Sequence, residues 1–329
     1  MNAPRYDVVA IGNAIVDILA PADDGFIAAN GMTKGQMALV FSPEEADALY
    51  AKMGPGQTVS GGSAANTVAG MAMLGSDCAF IGQVADDDLG ATFASDIRTG
   101  GIRFDVEARA GQPTTGRCMI FVTPDGQRTM NTFLGASHYL PAAALDRALI
   151  ADAAYLYIEG YLWDPEEPRA AMRAAIAVAK EAGRKVAFTT SAEFVIDRHR
   201  ADFLQLIADG QIDLLFANES ELMALTETAD VEAAVAAVAD QVETLVVTLA
   251  ERGAMALRGG ERVTVAAEPV DQVVDTTGAG DLFAAGFLHG QTHGHDLAAS
   301  LKLGAICAAE VIGHVGARPM ADLKLLTGG

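Results

Sequence analysis

From Ala153 onward, short apolar runs alternate with longer segments of helical periodicity, and this constrains the fold more than any other feature. Residues 154–159, 185–190, 212–217 and 244–249 read as buried strands. Residues 166–182, 199–209, 219–226 and 231–241 read as the helices between them. Strands separated by helices pair in parallel, and the crossovers cover both faces of the sheet. Residues 7–12, Asp-Val-Val-Ala-Ile-Gly, supply another strand of the same kind, and 79–84 another, followed by a helix over 87–99. Residues 254–258 and 262–267 predict a hairpin turning at Gly259-Gly260. A long final helix runs through about Ile312.

The alternation is interrupted once. Between about Arg103 and Phe133 the chain shows short alternating runs with turns at Gly111-Gln112-Pro113 and Pro124-Asp125-Gly126, which predicts an inserted antiparallel hairpin. Residues 36–41 form a further strand candidate, and Ser42-Pro43-Glu44-Glu45 opens a helix that Gly54-Pro55-Gly56 ends.

Of 329 residues, 51% are hydrophobic, enough for a sizeable core, and the formal net charge is -21. Such a surface repels nucleic acid and anionic membranes. Cys78, Cys118 and Cys307 are sparse and odd in number, which suits reduced thiols in the cytoplasm. No signal peptide or bilayer-spanning stretch is evident.

The chemistry concentrates in Asp275-Thr276-Thr277-Gly278-Ala279-Gly280-Asp281, which runs into an apolar helical stretch. Glycines before a helix let a ligand approach the main chain, and the first helical turn offers unpaired N–H groups and a partial positive charge. Asp281 stands beside that anion hole. The same residues also describe an ordinary capped turn. Gly61-Gly62-Ser63-Ala64-Ala65-Asn66 is a second small-residue entry to a helix, with Asn66 in its first turn. Asn13 and Asp17 follow the first strand, where open α/β sheets place ligands. Asn218 and Glu221 have the spacing of a capping box. His293-Gly294-His295 reads as a solvated loop rather than a metal site.

Four motifs in register resemble the ribokinase-like (PfkB-type) family of sugar and nucleoside kinases across nearly the whole chain: Gly61 to Asn66, Asn218 to Glu221, Thr248 to Gly253, and Asp275 to Asp281. The resemblance implies one α/β kinase domain over 1–329: a mostly parallel sheet with helices on both faces, plus a small β-sheet lid formed by about 14–44 and 103–135. It implies that Asp281 is the catalytic base and that Gly278, Ala279 and Gly280 form the anion hole. It implies sugar-hydroxyl contacts from Asn13, Asp17, Gly62, Ser63 and Asn66. Asn218, Thr248, Gly253 and Thr277 would serve ATP, Glu221 would place Mg²⁺ partly through water, and Asp275 would join a monovalent-cation site, making K⁺ an expected activator. The family often has glycine where Ala250 stands, which puts the detailed contacts of that loop in question.

The expected activity is ATP-dependent phosphoryl transfer to a primary hydroxyl of a sugar or nucleoside. Gly12-Asn13-Ala14-Ile15-Val16-Asp17, the strand Gln36 to Val40 and Arg128 to Ala136 look more like the adenosine-kinase branch. Met37, Leu39, Phe133 and Leu134 would then line a slot for the base. A kinase for ribose, fructose or a sugar acid is the alternative, and a non-catalytic binding protein on the same fold is a second. The expected assembly is a monomer or a homodimer through the lid. A dehydrogenase would want Gly-x-Gly-x-x-Gly after the first strand, and a P-loop kinase Gly-x-x-x-x-Gly-Lys-Ser/Thr; neither is present.

Overall fold

The computed structural model describes residues 3–328. Its strands, in chain order, are β1 (Tyr6–Ile11), β2 (Ile15–Pro21), β3 (Met37–Leu39), β4 (Gln57–Gly61), β5 (Cys78–Ile81), β6 (Gly116–Val122), β7 (Arg128–Phe133), β8 (Ala153–Glu159), β9 (Lys185–Thr189), β10 (Leu214–Asn218), β11 (Thr244–Thr248), β12 (Ala254–Arg258) and β13 (Glu261–Val265).

Eight of them build one sheet in the order β13-β12-β11-β10-β9-β8-β1-β5. It is parallel from β11 to β5, and the β12–β13 hairpin adds two antiparallel strands at one edge. Apolar clusters cover both faces of this sheet, which is why its inner strands are nearly continuous runs of Val, Ile, Leu, Ala and Phe. Strand order reverses beside β1: β5 lies on one side of it and β8 on the other. Ligands of open α/β sheets bind beyond the carboxyl ends of strands at such a reversal. Asn13, Glu159, Asn218 and Thr248 all stand at or just past those ends.

The remaining strands form a second sheet, β3-β7-β6-β2-β4. This is the small second sheet expected as the lid, and its strands differ from the expected bounds in two places. β4 belongs to it, although 57–61 lies outside the expected 14–44 and 103–135. Residues 103–115 supply none of its strands and instead make isolated bridges, Ala79 to Arg103 and Ala85 to Arg109. The chain enters the lid directly from β1 and leaves through β4 into the helix Ser63–Leu74. A small apolar cluster of Ile27, Ala46, Met119, Phe121 and Phe133 fills the lid's outer face.

The helix Ala279–Thr292 is the centre of the large domain. Every residue from Leu282 to Leu288 is buried. It packs against the helices Ser63–Leu74 and Leu297–Ile312. A Cβ added at Gly286 would come within 2.5 Å of the Leu303 main-chain carbon and oxygen. Contact with backbone cannot be relieved by a rotamer change. Gly286→Ala is therefore expected to push this helix off its neighbour and cost about 1–3 kcal/mol, the usual range for overpacking, measured by denaturant unfolding. An unchanged midpoint would show that the helix does not depend on this close approach.

Candidate active site

Gly278 caps the helix Ala279–Thr292 in the left-handed region, φ 81°, and no side chain caps the helix. The Ala279 N–H is used by the Thr276 carbonyl at 3.2 Å. The N–H groups of Gly278, Gly280 and Asp281 have no partner among the described residues. Of the expected anion-hole residues, Gly278 and Gly280 thus present free main-chain donors, and Ala279 does not. Asp281 itself supplies a third donor.

Asp281 sits in the first turn of this helix. Its Oδ1 accepts from Ser63 Oγ at 2.6 Å and its Oδ2 from Asn66 Nδ2 at 3.0 Å. Burial raises its carboxyl above the ordinary range, while these two donors and nearby Arg318 oppose the rise. Ser63 and Asn66, expected to hold sugar hydroxyls, hold the carboxylate here. Asn66 Oδ1 is buried and has no partner among the described residues, so one acceptor remains for a ligand hydroxyl. Gly62, at φ 101°, caps the helix that carries both; a Cβ there would lie 2.1 Å from the Asn13 carbonyl oxygen.

Asp17 lies in β2, paired with Val59 and Cys118. It is half-buried and accepts no hydrogen bond from any described residue. Burial pushes it up to about 7; Arg318 and Arg128 pull it down and Asp281 pushes it further up. A buried carboxylate without donors is costly, and vicinal hydroxyls would supply them.

Asn13 takes a different place from the expected one. It is 3% exposed. Its Nδ2 donates to Glu159 Oε1 at 2.6 Å and its Oδ1 accepts from Ser137 Oγ at 2.8 Å. Glu159 also accepts from the Asn13 N–H at 2.7 Å and, through Oε2, from the Ala64 N–H at 2.7 Å. This fully buried carboxylate ties the end of β1 to the start of the Ser63 helix. Burial pushes it up to about 7 against those three hydrogen bonds.

Phe133 is also displaced from its expected role. Register puts Thr132 and Leu39 side by side, and Cys118 beside both Thr132 and Asp17. Side chains alternate along a strand. Phe133 therefore faces away from Asp17, into the lid's own core. Met37, Leu39 and Met130 share the face of Asp17.

Arg128 starts β7 on that same face. It forms a buried ion pair with Asp275, yet its Nε and Nη2 have no partner among the described residues. Asp275 also accepts from the Thr277 N–H (3.1 Å), Thr277 Oγ1 (2.8 Å) and the Gly316 N–H (3.1 Å). A monovalent cation at Asp275 would have to compete with this guanidinium.

Asn218 and Glu221 form a complete capping box. Glu221 is buried, and its Oε2 further accepts from Thr190 Oγ1 at 2.7 Å. Burial raises its carboxyl. With both oxygens engaged, it would reach a metal ion only through water. No group of three or more His, Cys, Asp or Glu able to hold a metal occurs among the described residues, the His293–His295 loop included. Thr248 neighbours Asn218 in register. Gly253 turns back at φ 94°, and Ala250 takes a left-handed φ of 52°, a strain that a glycine there would avoid.

A model of the pfkB family of carbohydrate kinases matches residues 35–323. The chain belongs to this family. An adenosine kinase from Sinorhizobium meliloti superposes with a TM-score of 0.90 at 47% identity, covering 98% of each chain. A Rhizobium etli protein described as a probable sugar kinase superposes at 0.91 with 44% identity, covering 99% of this chain and 98% of its own. Adenosine kinase from Saccharomyces cerevisiae is 27% identical over 96% of both chains. Membership confirms the expected fold class and kinase activity on a sugar or nucleoside. No helix among the described residues is long and apolar enough to cross a membrane. Sequence reasoning missed Glu159, Arg128 and Arg318, whose partners lie 95 to 258 positions away and leave no local pattern.

Ordinary glutamate titrates at 4.5, and folded Glu159 at about 7. The folded state thus holds this proton more tightly than the unfolded chain. The contribution is present in full below about pH 4.5 and is lost as pH rises through about 7. Glu159→Gln cannot ionise, so wild type is expected to lose stability relative to it between pH 5 and pH 8, on the order of 3 kcal/mol. Denaturant unfolding of both proteins at the two pH values checks this; a pH-independent difference would contradict it.

Proposed function

We propose that this kinase transfers the γ-phosphate of ATP to the primary hydroxyl of a nucleoside of the adenosine type. The observation that carries the reading is the Asp281 carboxylate beside three main-chain donors at one helix tip, with the Asp17 carboxylate in its electrostatic reach; neither those donors nor Asp17 have a hydrogen-bond partner among the described residues. Asp17 and Asn66 Oδ1 hold the ribose hydroxyls. The primary hydroxyl replaces Ser63 or Asn66 on Asp281. Its oxygen attacks the γ-phosphorus as its proton passes to Asp281; the bond to the β-phosphate oxygen breaks and ADP leaves. The donors of Gly278, Gly280 and Asp281, with the unpaired N–H groups of Arg128, meet the charge on the transferring phosphoryl. Glu221 and Asn218 would hold a magnesium ion through water, and that ion would supply charge neutralisation at the nucleotide phosphates.

The base would lie against Met37, Leu39 and Met130, with half-buried Tyr161, which packs on Phe194 at 6.0 Å, as an aromatic wall. The Sinorhizobium relative favours a nucleoside. A rice fructokinase 30% identical over 77% of this chain keeps a simple sugar as the second reading. The lid's exposed Phe41 and Met37 leave pairing of two copies through the lid open to a sedimentation test.

Purified protein with Mg-ATP and a panel of adenosine, other nucleosides, ribose and fructose, read by ADP release, tests both halves. Adenosine is expected to give the highest kcat/KM. Asp281→Asn is expected to keep the fold and lose about 10²–10⁴-fold in kcat. Faster turnover of a free sugar would overturn the substrate assignment, and near-normal kcat in the variant would remove Asp281 from its role.

A further inference from the structure

Three consecutive residues after the last long helix each touch a different part of the site. The Gly316 N–H donates to Asp275 at 3.1 Å. Ala317 lies against Gly278, where an added Cβ would be 2.8 Å from its Cα. Arg318 crosses to the lid: its Nε donates to the Ser60 carbonyl at 3.0 Å and its Nη2 to Ser60 Oγ at 2.9 Å. Ser60 is buried and is held on its other side by Asp96, which accepts from both its N–H, at 2.8 Å, and its hydroxyl. The next residues are Gly61, Gly62 and Ser63, and Ser63 donates to Asp281.

We propose that Arg318 is a positioning residue that locks the end of β4 to the large domain and lays a permanent positive charge beside Asp17 and Asp281, fixing where both carboxylates sit and favouring the charged form of each. The kinetic consequence rests on the function proposed above; the placement does not. A tie to Ser60 alone would need only donors. Arg318 does more: the Ser60 it holds adjoins Gly61, where an added Cβ would lie 2.5 Å from the Asp17 carboxyl, and its guanidinium is in electrostatic reach of both carboxylates. The groups facing Asp281 are Ser63 and Asn66 from the Ser63 helix, Asp17 from β2, Tyr157 and Glu159 from β8, Tyr161 just beyond it, and Arg318. Those facing Asp17 are Arg128 and Cys118 from the lid, Asp281, and Arg318. Arg318 is the cation common to both sets. Arg128, the other cation, acts on Asp17 and is neutralised by Asp275. Removing the Arg318 charge therefore leaves both carboxylates easier to protonate, since a nearby cation favours the ionised form.

Side-chain carboxyl ¹³C NMR titration of the full chain, with Asp17 and Asp281 assigned through Asp17→Asn and Asp281→Asn, reads this without turnover. Arg318→Gln keeps a donor for Ser60 and drops the charge; both aspartates are expected to titrate at higher pH. Arg318→Lys keeps the charge and is expected to leave them near their wild-type positions. In kinetics, Arg318→Gln is expected to lose about tenfold in kcat/KM, with its acid limb moved to higher pH. Unmoved titrations in Arg318→Gln would overturn the proposal. So would an equal displacement in Arg318→Lys, which would make the residue a structural tie only. Should Arg318→Gln fail to fold, the lysine variant still decides, because displaced aspartates there contradict a role carried by charge. Absence of turnover in wild type would sink the kinase reading of this chain and leave the titration result standing.

Discussion

The Asp281 carboxylate lies where two opposed effects meet. Burial between the Ser63 helix and its own helix makes it hold a proton more tightly than a carboxylate in water. Two donated hydrogen bonds, the helix tip and a nearby guanidinium favour its charged form. A carboxylate of ordinary acidity is a weak base near neutrality, and one raised by desolvation is a better match for the proton that the proposed reaction would give it. The balance needs a helix that does not move. Its apolar side is buried along its length, and at Gly286 its backbone meets that of the next helix with no room for a methyl group.

The protein is strongly acidic, yet the proposed reaction would bring a polyphosphate to this helix tip. Distance resolves the conflict. Surface charges more than about 8 Å away are largely screened at physiological ionic strength. Unit charges 4 Å apart at an effective dielectric near 20 interact by about 4 kcal/mol. A few local donors therefore outweigh the diffuse negative surface. The site collects them from remote parts of the chain: the N–H groups of Gly278, Gly280 and Asp281, Arg128 from the lid, and Arg318 from the segment after the last long helix. Each arginine also joins the lid to the large domain, so the contact between the two sheets and the local charge are set by the same side chains.

Much of this architecture is legible in the linear chain, for physical reasons. Strands buried on both faces must be continuous apolar runs, so 154–159, 185–190, 212–217 and 244–249 stand out and coincide closely with β8 to β11. The entry to the helix at 278–281 is legible because its cap, Gly278, takes a left-handed φ of 81° against Ala317, where a side chain would not fit. β4 is not, since Gln57-Thr58-Val59-Ser60-Gly61 carries one apolar residue and earns its place only by pairing with β2. The far-side placement of Phe133 depends on register, which one strand alone does not reveal. Asn13 carries the right chemistry for a sugar contact, but its carboxamide is committed to Glu159 and Ser137. Glu159, Arg128 and Arg318 look like ordinary surface charges until the fold supplies their partners.

The most direct test of the central claim is a crystal structure with adenosine, magnesium and a non-hydrolysable ATP analogue bound together. The account predicts the acceptor's primary hydroxyl within about 2.6–3.2 Å of an Asp281 carboxylate oxygen, with the terminal phosphate on the N–H groups of Gly278, Gly280 and Asp281. A complex in which Asp281 keeps both Ser63 and Asn66 while the hydroxyl and phosphate meet elsewhere would contradict it.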